Sequence, residues 1–488
     1  MSPNPVVGSE LLPLVTAGMY YNPCVVFREY LQNSADAVTT QGNGSVRIKI
    51  DRLNSQVIIL DNGIGLSPSD ASQYLINVGR SKKDRKVDRG FRGIGRLSAL
   101  AFAEQIKFST RTCSTEPVTQ VTWNGRLLRE SKLAHLDASE AIKRCVTVGQ
   151  LPDDDWPDRF FEVAIERINR HATSTLLNED VVRRYIGEVC PVPISNSFPL
   201  ASQVREFLTA HTDYFVLDVR INDDDVPVQR PFSESLQLSD QYEVAFDRLE
   251  THVIPRIDAN APAAIVWLAH SPYAGSIPSR LGIRGLRARV GNIQIGTDRI
   301  FEHLFLEPRF NGWCVGEVHI LDRRLVPNGR RDYFEPNPHL RNLENHIGAI
   351  AHEISLRCRR ASSQRNKVRK ITNAVDRLKH TLNLATSGYL LPEDVKALIE
   401  RERKRIPEIK QILDVLSATT PNSAEEELTL LENQLDLIKI NSDPKIDDIS
   451  LNSGIVLQPA FAAIAEILPP DSALEIIETI YRRLSDQP

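Results

Sequence analysis

The chain has 488 residues, 41% hydrophobic and 25% charged, ordinary figures for a folded protein of about three domains. A formal net charge of −4 argues against a surface that is basic throughout, as a whole-chain nucleic-acid binder would need, while leaving room for a local basic patch. Six scattered cysteines (Cys24, Cys113, Cys145, Cys190, Cys314 and Cys358) form no C-x-x-C pair and no metal-ligand spacing, so they read as buried thiols of a reducing compartment. With no basic-then-apolar leader and no apolar run of about 18 residues, the expectation is a cytoplasmic protein without a membrane partner.

Asn22-Pro23 opens the first strong helix, with Asn as cap and Pro at the first helical position. Within it Glu29, Asn33 and Asp36 stand at i, i+4 and i+7 and share one face, beside an apolar stripe of Val25, Val26, Phe27, Leu31, Ala35 and Val38. A carboxylate there can deprotonate a water, and an amide oxygen can complete a Mg²⁺ shell that keeps several waters. Alone, such a face is usually a solvated one. Val46–Ile50 and Leu53–Ile59 then alternate as a hairpin, and the apolar run Val57–Leu60 ends on Asp61. Gly63 and Gly65 follow, where the missing Cβ permits close approach of a ligand. Asn77, Ser81 and Lys82 come next, and then the G-x-x-G-x-G turn of Gly90, Gly93, Ile94 and Gly95, which enters an apolar helical run at Leu97–Phe102. Backbone amides of such a turn, with the helix dipole behind them, suit phosphates.

In this order and spacing, the four blocks resemble the ATP-binding domain shared by gyrase, the ninety-kilodalton heat-shock chaperones, histidine kinases, MutL and MORC proteins, often called GHKL. The resemblance covers roughly the first hundred residues. It implies an α+β protein that begins with a Bergerat-type α/β sandwich holding ATP through Mg²⁺ under a mobile lid. By position, Glu29 matches the family's general base and Asn33 its Mg²⁺ ligand. Asp61 matches the acceptor of the adenine amino group, and Gly63 and Gly65 the turn beneath the base. Asn77, Ser81, Lys82 and the amides of Gly90 to Gly95 match the phosphate-facing lid. Seven cations lie in that lid (Arg80, Lys82, Lys83, Arg85, Lys86, Arg89 and Arg92), placed to neutralise a triphosphate on closure. In dimeric family members an N-terminal strap reaches to the partner, and residues 1 to about 22 are a candidate for the same. The family's Gly-Thr pair is absent, and Pro157-Asp158-Arg159 stands in its place.

Farther along, Gln105–Arg111, Val118–Trp123 and Phe160–Ile165 read as antiparallel strands, and Leu176–Ile186 as a helix. Prolines 191, 193 and 199 mark a boundary. Tyr214–Ile221, Ala263–Ala269, Gly285–Ile293 and Val315–Ile320 are strands that resemble the small α/β middle domain following the ATPase in chaperones, gyrase and MutL. Its loop Leu325–Phe334 is comparable to a chaperone loop whose Asn and Arg enter the nucleotide site; Asn328 and Arg331 fall on those positions, with Arg330 as neighbour. An arginine so delivered would stabilise charge on the γ-phosphate. From His339 the chain is helical, with one long helix to about Leu384, a basic stretch from Arg357 to Lys370, and further helices at 392–417, 424–440, 460–468 and 473–484.

The expected domains are therefore 1–195 (ATP-binding), 196–338 (transducer-like) and 339–488 (helical, for dimerisation or partner docking). The expected activity is that of a homodimeric Mg²⁺-ATP clamp acting on a client protein or on DNA. The alternative is a nucleotide-gated scaffold or DNA-binding module with little turnover. A histidine kinase is disfavoured because no histidine precedes the Glu29 helix, and a type II topoisomerase because the tail shows no catalytic tyrosine with an acidic metal domain.

Overall fold

The computed structural model describes residues 21–38, 44–78, 94–129, 136–152, 155–258, 260–416, 423–438 and 451–485. It divides into two compact units, Met1–Cys358 and Arg359–Pro488. The first unit holds α1 (Val25–Val38), β1 (Ser45–Asp51), β2 (Gln56–Asp61), α2 (Pro68–Tyr74) and a 3₁₀ turn at Gly95–Ala101. These are followed by β3 (Ala103–Arg111), β4 (Val118–Asn124), α3 (Gly125–Leu128), α4 (Ala138–Cys145), β5 (Val146–Leu151), β6 (Phe160–Ile168), α5 (Arg170–Leu176) and α6 (Glu179–Val189). Next come α7 (Ala201–His211), β7 (Asp218–Ile221), β8 (Ser235–Ser239), β9 (Tyr242–Ala245), β10 (Arg248–Pro255), β11 (Pro262–His270), β12 (Gly285–Val290), β13 (Ile293–Ile295) and β14 (Val315–Ile320).

The first sheet runs β5-β4-β3-β6-β2-β1-β7, antiparallel except for the parallel β1–β7 pair. Alternation explains its two faces: Val46 and Ile48 of β1 are buried while Arg47 and Lys49 face solvent. On the buried face α1 inserts Phe27, Leu31 and Ala35, joined by Val182 and Ile186 of α6. Burying side chains of the Phe or Leu kind contributes about 1.5–3 kcal/mol each, so α1 is held by packing rather than by helix propensity. The second sheet runs β10-β11-β14-β12-β13, with β12 and β14 parallel and its other pairs antiparallel. Its inner face, around Trp267 and Ile265, packs on Phe198, Val204 and Leu208 from α7 and the segment before it.

Several expectations shift. Only Asp218–Ile221 of the anticipated strand Tyr214–Ile221 is extended, and it joins the first sheet beside β1 rather than the second. The helix expected at Leu176–Ile186 is α6, which starts only at Glu179 because Asn178 caps it by accepting from the Val181 amide at 3.3 Å, while Leu176 ends the separate helix α5. The first helix starts at Val25, and Asn22 caps the turn before it through the Cys24 amide. All six cysteines are free, and only Cys113 is exposed.

Helix α8 (Pro338–Thr386) runs on into the second unit. That unit adds α9 (Pro392–Arg403), α10 (Ile406–Leu416), α11 (Ser423–Leu437), α12 (Leu451–Ile467) and α13 (Pro470–Ser485). Leu378, Leu398, Leu428, Phe461 and Ile477 from these helices share one apolar core. The single helix expected over 392–417 breaks between α9 and α10, where Pro407 lacks the amide an interior position would donate. No helix among the described residues is long and apolar enough to cross a membrane.

Candidate functional site

Packing of its apolar stripe forces the opposite face of α1 toward the 3₁₀ turn. Glu29 and Gln32 are buried there, and Asn33 and Asp36 are half-buried. Gly95 opens the 3₁₀ turn against the Glu29 carboxylate, so closely that a Cβ on it would lie 2.1 Å from Oε2. No other residue fits that position without displacing the carboxylate. Tyr30, one residue on, donates its hydroxyl to the Arg96 carbonyl at 2.8 Å, and the Arg96 guanidinium donates to the Asn77 carbonyl. Burial pushes Arg96 down to about 10. Asn77 and Ile94 thus flank the residues where the lid was expected. Ser81, Lys82, Gly90 and Gly93, with the seven lid cations, lie outside the described residues, as does nearly all of the expected N-terminal strap.

Asp61 ends β2 beneath α1 at 5% exposure. Its Oδ2 accepts from Ser34 Oγ at 2.7 Å and its Oδ1 from the Gly63 amide at 2.9 Å. Two donors do not replace the water it has lost, and burial pushes its carboxyl up to about 6. Gly65 turns the chain away at φ +66°, and a Cβ there would meet the Arg111 carbonyl oxygen at 2.1 Å. That crowding is built from β3. Thr110 accepts from the Leu66 amide at 2.9 Å and donates to the Phe160 carbonyl at 2.8 Å. Arg111 donates to the carbonyls of Trp156 and Pro157 at 2.7 and 2.8 Å, and Trp156 stacks on Phe160 with centroids 4.9 Å apart. The Pro157-Asp158-Arg159 segment is therefore braced by Arg111 from behind.

A second element reaches this site from far along the chain. The loop after β14 closes through a Pro327–Phe334 bridge, with the Asn328 amide donating to the Tyr333 carbonyl at 2.9 Å. Asn328 spends its side chain inside the loop, donating from Nδ2 to Asp332 Oδ1 at 2.6 Å. Arg331 adopts φ +57°, a backbone that few side chains tolerate, and its carbonyl accepts from the Gly296 amide at 2.9 Å. So presented, its guanidinium donates from Nη1 to Gln32 Oε1, while Nε lies 3.7 Å from Glu29 Oε1. Arg28 Nε approaches the same Glu29 oxygen at 3.2 Å. Arg330 sits over the ring of Tyr21, 5.8 Å from its centroid.

The structure thus brings Glu29, Gly95 and Arg331 to one point, with Asn33 and Asp36 along the same helix and Asp61, Gly63 and Gly65 beneath it. It keeps Asn328 in its own loop. Gln32, Arg28 and Thr110 were not anticipated. Gln32 was detectable in principle, since i+3 from Glu29 puts it on the same face, but its partner lies 299 residues away. Nothing local marks Thr110.

Residues 21–147 match the family of histidine kinase-, DNA gyrase B- and HSP90-like ATPases. With the sheet and α1 arranged as described, the N-terminal part of the chain is a GHKL-type domain. Among curated proteins it is similar to chaperone protein HtpG of Acinetobacter baylyi, 29% identical over 141 residues, covering 24% of this chain and 22% of the relative. It is also similar to the HtpG proteins of Rickettsia canadensis (27% over 136 residues, 22% of each chain) and of a Polaromonas species (26% over 158 residues, 27% of this chain and 25% of the relative). The matched region spans about a quarter or less of those relatives' length.

Proposed function

We propose that this protein is an ATP-operated clamp of the chaperone-like kind, in which binding and hydrolysis of Mg²⁺-ATP close and release a homodimer on a client protein or on DNA. The observation that carries the reading is the delivery of Arg331, from the loop after the second sheet, to Glu29 and Gln32 on α1. A catalytic carboxylate and a cation from a separate element converge where the γ-phosphate of a bound nucleotide would be attacked.

The residues present suit the nucleotide. Asp61 is a buried, under-donated carboxylate, which suits an exocyclic amino group as its missing donor. Asn33 would hold Mg²⁺ with its amide oxygen, and the ion would neutralise the phosphates. Glu29 holds the attacking water and takes its proton as the new P–O bond forms and the bond to the bridging oxygen breaks. Arg331, with Arg330 as its neighbour in the same loop, stabilises the charge left on the phosphates. Gly95 keeps the amide end of the 3₁₀ turn against Glu29, and the lid residues Ser81, Lys82, Gly90 and Gly93 would close over the phosphates.

A second reading rests on Pro157-Asp158-Arg159 standing where the family resemblance leads one to expect a Gly-Thr pair: a scaffold gated by nucleotide with little turnover. One experiment separates them. The mass of the protein in solution is measured for wild type and Glu29→Ala, with and without Mg²⁺-ATP. A shift to dimer, strongest in Glu29→Ala, is expected for the clamp. A mass indifferent to ATP would move the scaffold ahead.

A further inference from the structure

Several buried arginines of this protein are well served by acceptors. Arg111 donates to two carbonyls, and Arg230, Arg287 and Arg289 each reach a carboxylate. Arg96, which stands second in the 3₁₀ turn, is treated differently. Among the described residues its guanidinium has a single acceptor, the main-chain carbonyl of Asn77, and no carboxylate there pairs with it. Its Nε is buried and bonds to nothing among them. Burial works against the charge and pushes Arg96 down to about 10. A guanidinium has five N–H donors and still carries its proton at neutral pH. Arg96 therefore keeps a full positive charge in a half-buried place, with most of its donors unspent.

Its position gives those donors a use. Arg96 follows Gly95, the residue packed so tightly on the Glu29 carboxylate that it has no room for a Cβ. Its carbonyl accepts from the Tyr30 hydroxyl of α1 at 2.8 Å. The main chain of Arg96 is thus pinned to the helix that carries Glu29 and Asn33, while its side chain is tied through one neutral oxygen. If the base of a nucleotide lies at Asp61 and its attacked phosphate at Glu29, the phosphate chain runs past the Gly95–Glu29 contact. Phosphate oxygens are charged acceptors whose spacing fits the guanidinium fork, and bonds to them are about twice as strong as bonds between neutral groups. An anion there would supply the counter-charge that the protein itself withholds, and an unpaired charge away from water is unfavourable.

We propose that Arg96 binds the phosphates of the nucleotide, exchanging the Asn77 carbonyl for phosphate oxygen. The inference deepens the nucleotide reading and rests on it. The test compares the affinities of ATP, ADP and adenosine for the full chain by calorimetric titration, in wild type, R96Q and R96K. Glutamine keeps a donor for the Asn77 carbonyl and loses the charge. R96Q is expected to weaken ATP and ADP about 10- to 100-fold and adenosine less than twofold. R96K, which keeps the charge without the fork, is expected to weaken ATP only several-fold, and it carries the same test if R96Q does not fold. The role of Arg96 is overturned if R96Q binds ATP as tightly as wild type does, or if it loses adenosine by the same factor, as a merely structural arginine would. Wild type that binds neither ATP nor ADP overturns the nucleotide reading and this inference together. Wild type that binds ATP, with binding lost in Asp61→Asn and kept in R96Q, overturns this inference alone.

Discussion

Asp61 at the end of β2 and Glu317 in the middle of β14 are both buried carboxylates, at 5% and 1% exposure, and the protein treats them in opposite ways. Asp61 receives one hydroxyl and one amide, and burial pushes it up to about 6. Burial would push Glu317 up too, but Arg230 and Arg289 hold it well below the usual carboxylate range. Arg230 Nη1 and Arg289 Nε each donate to it at 2.5 Å, His319 Nε2 lies 2.9 Å away and Trp267 Nε1 3.3 Å. The same cluster ties the two sheets together: Arg289 donates to the Glu188 carbonyl of α6 at 2.7 Å, and Asn292 to the Phe215 carbonyl at 2.8 Å. A carboxylate fully served by the protein is scaffold, and one left short of donors is poised for a ligand. The direction of the shift separates the two roles where burial does not.

The sharpest way to break the comparison is to remove Glu317. Glu317→Ala leaves Arg230 and Arg289 buried without a counter-charge, and a loss of about 3–5 kcal/mol is expected. Urea unfolding followed by tryptophan fluorescence would read it, since Trp267 lies in the cluster. An unchanged midpoint would mean that the cluster is not what holds β14 and β12 to α6.

Asp61→Asn should act in the other direction on stability. Because the folded carboxyl is raised from 3.8 to about 6, its contribution is fully present below pH 4 and is lost as pH rises through 6. A carboxyl raised that far holds its proton more tightly in the folded chain than in the unfolded one, by about 3 kcal/mol. The asparagine can still accept from the Gly63 amide and donate to Ser34, so at pH 8 the nucleotide-free variant should resist urea better, by up to about that amount. Near pH 4 the two proteins should converge. ATP binding, by contrast, should be abolished. Stability that falls at pH 8 in the variant would refute the under-donated description of this carboxylate.

How much of this was legible beforehand depends on whether the cause is local. Glu29, Asn33, Asp61 and Gly65 stand out because a helix face and a strand-end turn are set by neighbours in sequence. Helix α8, expected from 339 to about 384, runs Pro338–Thr386, because the spacing of Leu343, Ile347, Ile350 and Ile354 repeats over many turns. β5 was missed, since its Val146–Leu151 is exposed for most of its length and shows no alternation. The pairing of β7 with β1 is decided 173 residues apart, as Ser45 opposite Asp218 shows, and leaves no local mark. The break before α10, by contrast, has a local mark in Pro407.

Between the two carboxylates in effect stands Arg331. Arg331→Ala should reduce ATP turnover about 10- to 100-fold while leaving ATP affinity nearly unchanged, which single-turnover kinetics with separate binding measurements would resolve. Equal losses of binding in Arg331→Ala, Glu29→Ala and Asp61→Asn would sink the assignment of separate roles.

The smallest expected effect is also the most specific. Gln32 is 1% exposed and uses Oε1 to hold the Arg331 guanidinium beside Glu29. Arg331 is long and flexible, and one hydrogen bond to a charged group is worth about 1.5–3 kcal/mol against its freedom. If that bond positions the cation for the γ-phosphate, Gln32→Ala should lower turnover several-fold with ATP affinity kept. The Gln32→Ala, Arg331→Ala double variant should then be no worse than Arg331→Ala alone, because the two act as one unit. If turnover instead rises in Gln32→Ala, the contact is a restraint that holds Arg331 on Glu29 until nucleotide arrives. Arg331 would then be part of a latch as well as of the catalytic site.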